Sequence, residues 1–159
     1  MHGVSRPRTW HDRGCVARGS ALDECLITSA AGTGGLLFYD RSAPDRAEPI
    51  DNYWVRITDH NLSAVAQVYA GYVFSHPARL LAEMARQWSG WPGELVWESL
   101  EREFILRCSH DRRGHIAMRV DLRSGPMPDD WRVETTVMVE AGQLEDIARR
   151  TALFFGQPW

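Results

Sequence analysis

The chain has 159 residues, 44% hydrophobic and 25% charged, with a formal net charge of −3. That length and mix predict one globular domain with a sizeable core, and the mild acidity excludes a basic field for a phosphate backbone, so no nucleic-acid partner is expected. No apolar run is long enough to span a bilayer and no hydrophobic stretch follows the basic start, so the expectation is no membrane association, no secretory signal and a cytoplasmic protein.

Residues 1 to 22 mix Arg, Gly, Ser and Pro without a hydrophobic period. They read as a flexible N-terminal tail ahead of a single domain over 23–159. From Glu24, ECLITSA and GLLFYD predict two short strands joined by AGTGG, a glycine-rich turn without the Gly-Lys-Ser/Thr ending of a phosphate loop. The stretch 40–49 is a polar loop. YWVRITDHNLSAVAQVYAGYVF predicts a hairpin turning at Asp59-His60-Asn61. Val55 and Ile57 lie on one face of its first arm, and Leu62, Ala64, Ala66 and Val68 on one face of its second.

SHPARLLAEMARQW predicts a helix with Ser75 or His76 at its cap, Pro77 at its first position, and Leu80, Leu81, Met84 and Trp88 on one stripe. ELVWESLE is ambiguous between a strand and a helical turn, and is read as a short bridging element. EFILRCS, HIAMRVDL and WRVETTVMVE alternate as three strands. The closing AGQLEDIARRTALFF places Leu144, Ile147, Ala148, Thr151, Phe154 and Phe155 on one helical stripe, with acids in the first turn.

The order β-β-β-β-α-β-β-β-α predicts an α+β fold: a mainly antiparallel sheet of about six to seven strands, covered on one face by two helices. No internal repeat is legible.

Three cysteines, Cys15, Cys25 and Cys108, are an odd number without C-x-x-C spacing. Neither a disulfide framework nor a structural zinc site is expected. The most enzyme-like stretch is HDRRGH, 110–115. A turn over Asp111 to Gly114 would bring His110 and His115 face to face, near the Asp111 carboxylate, as a candidate metal pair or hydrolytic centre. A third protein ligand is not identifiable, and the same residues also suit a plain exposed turn. Cys108 lies on the apolar face of its strand, where a thiol acts as a small hydrophobe. The carboxylates Asp129-Asp130 and Glu101/Glu103 read as solvated.

QWSGWPGELVW holds three of the seven tryptophans. Trp88 closes the helical stripe and is expected in the core, and Trp97 is expected beneath the following strand. Trp91, between Gly90 and Pro92, is the indole expected on display, as a structural plug, a protein interface or a ligand platform. Stacking on a sugar would need acids and amides around the ring. The candidate binding residues are therefore Trp91, Trp97, His110, Asp111 and His115, with no catalytic residue, metal or cofactor assigned.

Residues 50 to 159, about two thirds of the chain, carry W-S-G-W-P-G at 88–93, W-E-S-L-E at 97–101, H-D-x-x-G-H at 110–115, Trp131 before a strand and A-G-Q-L-E at 141–145. In that order they resemble an actinobacterial domain-of-unknown-function family, from which no activity transfers. The layout also resembles that of small immunity proteins of the WapI type, a likeness of architecture only. That likeness implies a protein that binds a toxin and blocks it. The expected function is a non-catalytic protein-binding module, immunity-like in form. The alternative is a small metal-dependent or hydrolytic enzyme centred on His110–His115.

Overall fold

The computed structural model describes residues 23–42, 50–70 and 76–156. The expected tail, most of the 40–49 loop, the end of the YAGYVF arm and Ser75 lie outside them. Eight strands and two helices follow in order: β1 (Glu24–Thr28), β2 (Gly35–Tyr39), β3 (Asn52–Asp59), β4 (Leu62–Tyr69), α1 (Pro77–Arg86), β5 (Glu94–Glu98), β6 (Phe104–His110), β7 (His115–Arg123), β8 (Arg132–Glu140) and α2 (Leu144–Phe155). A single 3-10 turn, Ala141–Gln143, leads into α2.

The fold is α+β and mainly antiparallel, as expected, but its strands form two four-stranded meanders, β1-β2-β3-β4 and β5-β6-β7-β8. The ambiguous stretch is a strand: β5 pairs with β6 through Leu95↔Cys108 and Trp97↔Leu106. Each half of the molecule is thus four strands followed by a helix, an architectural repeat that the side chains do not spell out.

Alternation sets the faces. In the first sheet Cys25, Ile27, Leu36, Phe38, Tyr53, Val55, Ile57, Ala66 and Val68 point inward, and in the second Leu106, Cys108, Met118, Val120, Leu122, Val137 and Val139 do. Both inner faces and the apolar stripes of both helices share one core. Phe38 stands at its centre, edge-on to Phe104 of the second sheet at 5.8 Å and to Phe155 of α2 at 5.5 Å. Each such ring contributes roughly 1.5–3 kcal/mol by leaving water. The helices pack on each other, and α2 lies against β1, where the Arg150 guanidinium donates to the Leu26 carbonyl at 2.6 Å.

Local chemistry places the ends. His76 occupies the N-cap of α1 without a side-chain capping bond, and its ring instead stacks on Phe155 at 4.9 Å. Gly156 ends α2 at φ +65°, the left-handed cap that glycine adopts without steric cost. The glycine-rich turn after β1 shields the edge of β8: Ala30 N–H donates to the Met138 carbonyl at 2.6 Å, and Met138 N–H to Ser29 Oγ at 3.2 Å. No helix among the described residues is long and apolar enough to cross a membrane.

Candidate functional site

Three segments meet at one end of the second sheet: the α1–β5 loop, the β6–β7 hairpin and the corner from β8 into α2. The hairpin register pairs His110 with Ile116 and His115 with Glu140 across neighbouring strands. Asp111 N–H donates to the His115 carbonyl at 3.1 Å, so Asp111, not His110, faces His115 across the turn. The expected face-to-face histidine pair is therefore absent, because Asp111 closes the turn one position further in.

Asp111 organises the hairpin with its own side chain. Its Oδ1 accepts from Arg113 N–H at 2.6 Å and His115 N–H at 3.0 Å, and its Oδ2 meets His115 Nδ1 at 2.7 Å. The His115 imidazole, followed by these backbone donors, holds the Asp111 carboxyl well below the usual carboxylate range. The tight turn places Arg112 at φ +61° and Gly114 at φ +97°.

His110 is occupied on both ring nitrogens. Nδ1 accepts from Arg112 N–H at 2.7 Å, so Nε2 carries the proton and donates to the Trp88 carbonyl at 3.1 Å. A metal at His110 would have to break one of these bonds. Among the described residues no group of three or more His, Cys, Asp or Glu is placed to hold a metal ion. Burial pushes the Cys108 thiol up to about 12, so it is a packed hydrophobe and not a nucleophile.

Two of the three tryptophans take positions opposite to those expected, and Trp97 is buried as expected. Trp91 is 2% exposed; its Nε1 donates to the Cys108 carbonyl at 3.0 Å and its ring meets His110 edge-on at 5.0 Å. Gly90 turns the loop here at φ +127°, a backbone conformation that residues with a side chain rarely adopt. Trp97, on β5, is buried beside Phe104 of the neighbouring β6, in the core and apart from the hairpin. Trp88 is 63% exposed. Helix α1 stops at Arg86 with Gln87 as its cap, just short of carrying Trp88 onto the stripe, and Gly90 N–H closes a turn onto the Gln87 carbonyl at 2.8 Å.

Trp88 stands at the rim of a cleft of about 360 Å³ lined also by Ala85, Ala141, Gly142, Leu144 and Glu145. Its walls are held in place: Ala141 N–H donates to the Gly114 carbonyl at 2.8 Å, and the Glu140–Gln143 capping box closes with Glu140 N–H on Gln143 Oε1 at 2.9 Å. Of the five expected residues, the fold gathers Trp91, His110, Asp111 and His115 at this end, as the frame beneath Trp88. The missed residues are Trp88 and the small side chains opposite it. Arg86-Gln87 followed by Ser89-Gly90 was the available sign that the helix ends before Trp88.

A family model described as a family of unknown function (DUF6228) matches residues 27–158. The chain belongs to that family. Neither the curated proteins nor the solved structures contain a match to this member of DUF6228.

Proposed function

We propose that this DUF6228 protein is a non-catalytic protein-binding module whose contact centres on Trp88, and that its specific form is an immunity-like inhibitor that blocks a toxin by covering it. The observation that carries this reading is the 63% exposed indole at the rim of a cleft walled by Ala85, Ala141 and Gly142. An indole displayed on a braced loop supplies large contact area with few torsions to freeze, the feature that makes tryptophan dominate protein interfaces. The cleft beside it has small walls that admit a partner's side chain. The enzyme alternative gains no support from the hairpin, where both ring nitrogens of His110 already serve the backbone.

The test compares capture of partners from the source cell by the wild-type chain, by Trp88→Ala and by Leu100→Ala, a control that removes another exposed apolar side chain. Trp88→Ala is expected to keep its stability within about 0.5 kcal/mol and to weaken binding of a reconstituted partner by at least about 2 kcal/mol. Leu100→Ala should bind as wild type, and an immunity-like role adds that the wild type, not Trp88→Ala, suppresses the partner's own activity. A partner set indifferent to Trp88→Ala overturns the reading.

A further inference from the structure

A second cavity, of about 310 Å³, lies away from the Trp88 end, where the first sheet meets the turns of the second. Asn52 and Tyr69, paired across β3 and β4, line one side with Gln67; Glu101, Glu103 and Ser124 line the other. Glu103 is only 4% exposed. Its carboxylate is held rigidly, Oε1 accepting from Tyr69 N–H at 2.6 Å and Oε2 from Ser99 Oγ at 2.8 Å.

Two such bonds leave acceptor capacity on both oxygens, since an ionised carboxylate offers about four lone-pair sites. No cationic side chain among the described residues pairs with Glu103 or Glu101. Two neighbouring arginines are engaged elsewhere: Arg102, adjacent in sequence, with Glu98 at 3.2 Å, and Arg123, whose backbone N–H donates to the Glu103 carbonyl, with Asp121 at 3.5 Å. A buried carboxylate without a cation is costly, and a cavity opening onto it admits the missing charge. The remaining walls suit a flat cation. Gln67 donates its amide N–H to Asn52 Oδ1 at 2.9 Å, which leaves Gln67 Oε1 as an acceptor, and Tyr69 supplies a half-exposed aromatic ring. Carboxylates, an amide oxygen and a ring face together match the planar donor fork of a guanidinium and repel an anion.

We propose that the cavity between Tyr69, Glu101 and Glu103 binds a guanidinium group, borne either by a free guanidino compound or by an arginine side chain of another protein. The test is an amide-resolved NMR titration of the full chain with methylguanidinium chloride, with its neutral isostere methylurea as control at constant ionic strength. Methylguanidinium is expected to move the side-chain amides of Asn52 and Gln67 and the backbone amide of Ser124, whereas methylurea leaves them in place. Glu101→Gln, at an exposed position, should weaken binding at least about threefold. Glu103→Gln should weaken it further; if that variant loses its fold, Tyr69→Ala, which keeps the backbone donor to Glu103, takes its place.

Equal shifts with methylurea, or unchanged binding in both Glu101→Gln and Tyr69→Ala, would overturn the proposal. Agmatine and an acetyl-Gly-Arg-Gly-amide peptide then separate the two sources. Tighter binding of the peptide assigns the group to a protein partner, and tighter binding of agmatine to a free compound.

Discussion

The indole of Trp91 gives its N–H to the Cys108 carbonyl and its ring edge to His110, with 2% of its surface left to solvent. Truncation would open a cavity and leave a buried carbonyl without its donor, two costs that add. Trp91→Ala is therefore expected to lower unfolding stability by about 3–5 kcal/mol, read from the urea midpoint. A loss below about 1 kcal/mol would contradict the burial described here. Trp88, three positions earlier, has no comparable burial to lose. The two indoles share residue type and local composition, and differ only in where the chain turns between them.

At the scale of the element, the β6–β7 hairpin draws most of its side-chain bonds from Asp111. Asp111 binds two backbone donors and the His115 ring across a turn that requires left-handed conformations at Arg112 and Gly114. The depressed Asp111 value fixes the sign of the pH effect. Its contribution is present above the ordinary carboxylate value, about pH 4, and is lost as pH falls below that toward the folded value. The protection of the Arg113 and His115 amides, relative to their intrinsic exchange rates, should therefore fall on acidification below about pH 4 in the wild type. In Asp111→Ala the same amides should exchange fast at neutral pH as well, while those of the buried strand residues Leu106 and Val120 stay protected. Slow exchange at Arg113 in the variant would mean that backbone geometry alone holds the turn.

At the scale of the whole molecule, two sheets that share no strand are joined by a common core, with Phe38 touching Phe104, Phe154 and Phe155 at once. Phe38→Ala should cost about 3–5 kcal/mol and should destabilise both halves together. Far-UV circular dichroism reports both sheets, whereas fluorescence is weighted toward the second half through Trp88, Trp91, Trp97 and Trp131. Coincident transitions by the two probes are expected in wild type and variant alike. Separated transitions would mean that the two four-strand-and-helix halves unfold independently.

What the amino-acid order determined by itself was local. Alternation in 52–69 and 115–140 marked the strands and their inner faces, Pro77 and the 3.6-residue stripe marked α1, and the stripe with its first-turn acids marked α2. These signals are readable because a strand or helix imposes its own period on whichever side chains it buries. Tertiary structure alone decided the partition into two sheets, the burial of Trp91, the display of Trp88 and the cavity at Glu103. Glu103 reads as a solvated carboxylate in ELVWESLEREF, yet it is buried through a bond to Tyr69, thirty-four positions away. Local pattern is blind to such pairings: they depend on which distant segments close the same volume, and no residue's immediate neighbours carry that information.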